Sequence, residues 1–274
     1  MKIARIREAY WSATDTTKTV VHTIADHIAQ ALGLPLVTDD WTLPAARTET
    51  LTFAPDELVI FGTPVYAGRV PNVLMPYVRD KVVGNGALAV PVVLYGNRNF
   101  DDGLIELRNL LEANGLHTIA AGAFIGEHSF SYILGKGRPD ADDLAKAHEL
   151  AELTLSRLEK LDAAPTTPVA VKGCDPIRPY YTPRDRAGNP VNILKVKPKF
   201  DMDKCTNCGL CAQVCPMGSI VPGKVGEFSG ICIKCCACYK KCPTQAVYFD
   251  DAGYLYHQHE LEEGYARRAE PEIF

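Results

Sequence analysis

Cysteine is missing from the first 173 of the 274 residues, and long apolar runs are missing throughout. No stretch reaches the roughly 18 consecutive apolar residues that a membrane-spanning helix needs, so no membrane is expected. The N-terminal MKIARIREAYW lacks the charged-then-apolar layout of an export leader, which makes a cytoplasmic location the expectation. An excess of base is absent too. The 29 Lys and Arg stand against 33 Asp and Glu, a net charge of −4, which argues against a nucleic-acid binder. Neither G-x-x-x-x-G-K-[ST] nor G-x-G-x-x-G occurs, so the chain has the fingerprint of neither a nucleoside-triphosphatase loop nor a dinucleotide fold. What remains, 47% hydrophobic and 23% charged, suits an ordinary soluble globular chain.

Residues 1–162 alternate between two patterns. Apolar runs suited to buried strands occur at Lys2 to Tyr10, Leu34 to Thr38, Glu57 to Phe61, Ala87 to Tyr95 and Thr118 to Ile125. Between them lie helical patterns. TTKTVVHTIADHIAQAL sets Val20, Ile24, Ile28 and Leu32 on one face; DDGLIELRNLLEANG and PDADDLAKAHELAELTLSRLEKL follow, and a short helix is expected after Pro71. Strands separated by helices predict a parallel sheet covered on both sides, and five strands suit a small doubly wound α/β domain better than a barrel. Residues 163–200 are dense in proline and turn residues and read as an extended linker. Residues 251–274 read as an acidic C-terminal tail.

Nine of the ten cysteines fall after residue 204. A secreted disulfide scaffold would be short and would spread its bridges over the fold, so closely spaced thiols here point to metal. Cys174 has no neighbour in sequence and stays unassigned. The rest repeat: Cys205, Cys208, Cys211 and Cys215 are each followed 27 residues later by Cys232, Cys235, Cys238 and Cys242. This marks residues 201–250 as a duplicated unit. The fifth cysteine of the second copy, Cys236, lies where the first copy has Gly209, and a position that glycine can fill is not an essential ligand.

Each copy is C-x2-C-x2-C-x3-C-P, the run of bacterial two-cluster ferredoxins, in which the fourth cysteine serves the other cluster. That resemblance implies two [4Fe–4S] clusters in a small α+β module. One would be held by Cys205, Cys208, Cys211 and Cys242, the other by Cys232, Cys235, Cys238 and Cys215. Zinc also accepts four thiolates but favours paired C-x2-C knuckles over two threes with a crossed fourth. Nearby lysines (Lys195, Lys197, Lys199, Lys204, Lys234, Lys240, Lys241) would offset the anionic clusters, dock an acidic partner, or form a solvated surface.

The first strand runs into WSATDTTKTVV, which places hydroxyls between a strand and the start of a helix, where free backbone N–H groups and the helix dipole favour phosphate. The phrase resembles the S/T-x-T-G-x-T phosphate loop of flavodoxins, which bind flavin mononucleotide (FMN). Ser12, Thr14, Asp15, Thr16 and Thr17 are the corresponding positions. Asp15 stands where that pattern has glycine. It tolerates a left-handed backbone, yet its carboxylate would repel a phosphate if turned inward, or cap the helix instead. In flavodoxins the loops after the third and fourth strands flank the flavin ring, at the carboxyl ends of the sheet. The resemblance therefore implies ring stacking by Tyr66 and Phe100 and polar contacts from backbone groups around Ala67, Gly96 and Asn97. GEHSFSYILG, after the fifth strand, offers Glu127, His128 and Ser129 as a small polar site, as a contact with the cysteine region, or as a plain turn.

Together these features resemble the flavodoxin–ferredoxin fusions, or iron–sulfur flavoproteins, with a flavodoxin-like strand order of 2-1-3-4-5. The implied function is electron transfer between the clusters and FMN, converting one-electron and two-electron steps, with redox proteins as partners and a homodimer left open. A flavin-dependent reductase of a quinone, nitro compound or dioxygen, fed by the cluster module, is one alternative. A flavin-free docking scaffold for that module is another.

Overall fold

The five apolar runs form a parallel sheet in the computed structural model, which describes residues 2–274. The first domain holds, in chain order, β1 (Arg5–Tyr10), α1 (Thr16–Leu32), β2 (Leu36–Asp40), β3 (Glu57–Pro64), α2 (Met75–Lys81), β4 (Leu88–Tyr95), α3 (Gly103–Ala113), β5 (Gly122–Ile125) and α4 (Ala141–Leu158). The order across the sheet is β2-β1-β3-β4-β5, with every neighbouring pair parallel. This is the flavodoxin-like doubly wound order, with its switch point at β1 and β3.

Period-two alternation decides which helices cover which face. Ile6, Tyr10, Leu58 and Ile60 point to one side and pack under α1 and α4 through Val20, Ile24, Ile28, Leu150 and Ala151. Ala9, Trp11, Val59 and Phe61 point to the other, under α2 and α3 through Val78, Leu104 and Leu107. α1 stops at Gly33, whose left-handed backbone lets its N–H reach back to the carbonyls of Ala29 and Gln30. α4 starts on a reciprocal capping box between Asp140 and Asp143.

The fifth run is not continuous. It breaks into His117–Thr118 and Gly122–Ile125, because between them the Ala121 N–H donates to the Phe274 carbonyl rather than to β4.

The cysteine module carries only short elements: β6 (Lys199–Phe200), α5 (Leu210–Gln213), α6 (Ala237–Lys240) and β7 (Val247–Tyr248), with β6 and β7 antiparallel. Residues 251–274, read as a tail, contain α7 (Ala252–Gly264) and β8 (Glu272–Ile273). β8 adds an antiparallel edge strand beside β5. Arg138, buried and paired with Asp143, also donates to the Ala269 carbonyl, and Arg157 donates to the Phe274 carbonyl. Two residues of strand in an acidic context left no periodicity to read.

The proline-rich segment is extended and strapped along the first domain. Val169 exchanges hydrogen bonds with Thr118 and Arg108, Tyr180 donates to the Val70 carbonyl, and the Tyr181 N–H donates to the Ala67 carbonyl. Arg69 and Arg98 lie over the rings of Tyr180 and Tyr181 at 4.4 and 4.5 Å. The central rivet is Asp102, 1% exposed, which accepts from the N–H groups of Cys174 and Arg178 and from the Arg178 guanidinium at 2.6–3.0 Å.

Those bonds, the Arg178 side chain's first, hold the Asp102 carboxyl down at about 2. Their contribution to stability is therefore complete above the usual unfolded carboxylate range near pH 4 and disappears as pH falls through about 2. Asp102→Asn is expected to cost about 2 kcal/mol in denaturant unfolding at pH 7. It should also open residues 163–200 to limited proteolysis; an unchanged cleavage rate would refute the rivet.

Candidate functional site

The 27-residue repeat is visible in the backbone. Asn207 and Lys234 both have φ 55°, Gly218 and Gln245 have φ 58° and 53°, and Gly209 and Cys236 have φ 76° and 60° ahead of α5 and α6. Each of these positions needs a left-handed residue. In each copy an N–H four residues on donates to the last cysteine: Ser219 to Cys215 Sγ at 3.4 Å and Ala246 to Cys242 Sγ at 3.3 Å. Such bonds favour the thiolate, and with Thr244 they lower the Cys242 thiol although burial opposes them.

The two copies enclose two cavities. One is lined by Cys205, Cys208, Cys211 and Cys242, the other by Cys215, Cys232, Cys235 and Cys238. Each set draws its fourth cysteine from the opposite copy. Among the described residues no three His, Cys, Asp or Glu side chains converge on a point fit for a single ion. The donor sets fit [4Fe–4S] clusters. Cys236 also borders the second cavity but is bonded elsewhere, its thiol 3.3 Å from the Lys234 carbonyl and 3.6 Å from the Tyr254 hydroxyl.

The cavities differ in setting. Cys208 of the first is exposed, whereas Cys235 of the second is buried, and Cys235 and Ala237 share one apolar core with Trp11, Tyr66, Val214 and Ile233. Burial pushes the Cys235 thiol up to about 12, so a metal-borne positive charge is what would keep it ionised. It also raises the Tyr66 phenol well above its usual value, helped by Cys235, Cys236 and Cys232 across the interface. The second cavity thus sits on the carboxyl edge of the sheet. Of the lysines, Lys234 donates to the carbonyls of Leu194 and Cys232, Lys197 lies over Phe228, and Lys199 and Lys204 pair with Asp250 and Asp201.

In the β1–α1 loop the Ser12 hydroxyl accepts from the Lys18 N–H. The hydroxyls of Thr14, Thr16 and Thr17 have no partner among the described residues, although Thr17 is only 2% exposed. Asp15 has φ 67°, the left-handed form that glycine would supply, and its side chain does not cap α1. It points out instead and pairs with Lys241 of the cysteine module at 2.9 Å. The helix start and the hydroxyl-bearing Thr14 and Thr16 therefore remain partly open, with Thr17 buried beneath them. That fits a phosphate.

The ring-side expectation needs correction at Phe100. Phe100 is 3% exposed and packs on Tyr95 at 5.6 Å in the core, so it does not face a ring. The Asn97 amide donates to the carbonyls of Tyr265 and Arg267, and its oxygen accepts from Ala269 N–H. Gly96 is closed off by His128, whose ring carbon would lie 2.3 Å from an added Cβ. An aromatic or amide just past a strand looks the same in sequence whether it turns to a ligand or inward. Tyr66 and the exposed Ala67 remain at the edge, Tyr66 edge-on to Trp11 at 6.1 Å. Trp11 Nε1, Trp41 Nε1 and Thr63 Oγ1, side by side at the ends of β1, β2 and β3, are buried without partners.

His128 is not a polar site. Burial, then the charges of His257, Lys240 and Arg98, push its imidazole down to about 3, so it stays neutral and wedges between Gly96 and Phe130, 5.2 Å from the latter ring. Glu127 instead anchors Lys240 at 2.6 Å, and Lys240 also donates to the Ser131 carbonyl. Lys240, Lys241, Trp11 and residues 265–269 were not among the site residues expected from sequence. Their roles depend on contacts 100 or more residues away.

Residues 198–221 match the 4Fe-4S binding domain family. No curated protein matches the chain. Among solved structures, a flavodoxin from Streptococcus pneumonia TIGR4 is 18% identical, covering 56% of this chain and 99% of that one at a TM-score of 0.40. Flavodoxin 2 from Bacillus cereus is 14% identical over 58% and 100%, at 0.43. The rubredoxin oxygen:oxidoreductase of Desulfovibrio gigas is 13% identical over 59% and 38%, at 0.40. The strand order, not these scores, defines the fold: a flavodoxin-like sheet joined to a 4Fe-4S ferredoxin segment.

On the expectation of one [4Fe–4S] cluster in each cavity, replacing Cys215 by Ser removes the cluster beside Trp11 and Tyr66 and halves the iron content, whereas Cys236→Ser leaves iron unchanged. Iron and sulfide assays on anaerobic protein, with EPR of the reduced form, check both.

Proposed function

We propose that this protein is an electron-transfer flavoprotein with two [4Fe–4S] clusters and one FMN. The observation behind the reading is the burial of the Cys232–Cys238 loop against Trp11 and Tyr66, at the strand ends where a flavodoxin-like sheet binds its ligand. When bound, FMN exchanges electrons singly or in pairs and each cluster exchanges one, so their union on one chain joins one-electron to two-electron chemistry.

The chain's own residues hold, orient and seal. Cys205, Cys208, Cys211 and Cys242 hold the outer cluster, where exposed Cys208 and Met202 leave it accessible to a redox partner. Cys215, Cys232, Cys235 and Cys238 hold the inner one. Thr14, Thr16, Thr17 and the start of α1 receive the flavin phosphate, and Tyr66 and Ala67 border the ring. The tether, through Tyr181, and residues 265–269 close the edge. That closure favours carriage of electrons over turnover of a quinone, nitro compound or dioxygen, which would need an open ring lined by polar groups.

Anaerobic purification with iron, sulfide and flavin assays tests the reading: about eight iron and one FMN per chain are expected. Zinc in place of iron would overturn it. Iron without flavin, even after incubation with FMN, would leave the first domain as a docking scaffold.

A further inference from the structure

We propose that Lys241, a residue of the cysteine module, supplies the cation of the flavin phosphate site on the first domain, so that the phosphate is clasped between the two modules. This rests on the FMN reading above and adds to it a binding residue 226 positions away from the loop it completes.

The β1–α1 loop is short of positive charge. Residues 12–17 contain no Lys or Arg and one acid, Asp15, while the next base, Lys18, is exposed. A doubly charged phosphate would meet a helix start, three unbonded hydroxyls and a carboxylate. Lys241 changes that balance. Its ammonium lies 3.0 Å from Asp15 Oδ1 and 2.9 Å from Oδ2, so the carboxylate is neutralised and a cation stands at the mouth of the loop. Lysine binds phosphate as a compact point charge and needs only to be close.

Two further observations separate this from a chance surface pair. The repeat offers an internal control, because the position 27 residues before Lys241 is Val214, packed into the apolar core. A cluster-binding copy therefore has no need of lysine there. The approach of Lys241 is also fixed by its neighbours. Lys240 is held by Glu127 and the Ser131 carbonyl, and the Tyr132 hydroxyl donates to the Tyr239 carbonyl at 3.1 Å. With α6 pinned in this way, Lys241, the residue that follows it, is directed at the loop. Asp15, in the position where flavodoxin loops have glycine, is the positioning residue that holds the ammonium.

The test compares FMN with riboflavin, which lacks the phosphate, by quenching of flavin fluorescence on flavin-stripped protein whose clusters are intact. Lys241→Met is expected to weaken FMN about tenfold to a hundredfold and leave riboflavin within about twofold. Lys241→Arg should restore most of the FMN affinity, since it restores the charge. Iron content reports on neighbouring Cys242; should Lys241→Met lose iron, Lys241→Gln takes its place. Equal weakening of both flavins, or no weakening of either, would overturn the clasp while leaving FMN binding intact. Wild-type protein that binds neither flavin would overturn the FMN reading and the clasp together.

Discussion

Everything in this molecule is arranged around one buried contact: Cys235 and Ala237 against Trp11 and Tyr66 at the carboxyl edge of a parallel sheet. Cysteine ligands on a small module of short elements have little secondary structure to hold them. β6 and β7 are two residues each, and α5 and α6 four. Such pieces do not stand alone. Burying the second cavity against a finished α/β core supplies the apolar contact that the module lacks, and it keeps water from the thiolates nearest the sheet. The same contact decides which cavity faces outward and which faces in.

Both ends of the module are then tied down. On its N-terminal side the proline-rich segment is riveted through Asp102, Tyr180 and Tyr181. On its C-terminal side α7 leads to residues 265–269, which use up the hydrogen-bonding groups of Asn97, and to β8 on the sheet edge. Proline fixes φ and gives up a donor, so this tether loses little chain entropy when it docks. Two fixed ends and three lysine or arginine contacts (Lys240, Lys241, Arg47) leave one orientation for the module, the condition for electron transfer between fixed centres.

Much of this was legible beforehand. The doubly wound parallel sheet followed from five buried runs separated by amphipathic helices, because a parallel sheet covered on both faces is the arrangement that buries such runs; its strand order came with the flavodoxin resemblance. The duplicated cysteine unit followed from a spacing repeated at 27 residues and its crossed sets from the resemblance to two-cluster ferredoxins, while the identification of Cys236 as idle followed from its alignment with Gly209. The structure adds that both residues adopt the same left-handed backbone. Phe100 went the other way. It stands just past a strand, where a ligand contact and a core contact have the same pattern, and here Tyr95 claimed it.

Sequence by itself determined what lies close along the chain: the elements and the repeated run of eight sulfurs, since spacing and alternation are local and period-bound. Tertiary structure alone decided that Asp15 faces a lysine from the far end of the chain, that His128 is neutral, and that the supposed tail is a sheet edge. Each of these depends on which groups share a desolvated space, and no local period records a partner more than 100 residues away.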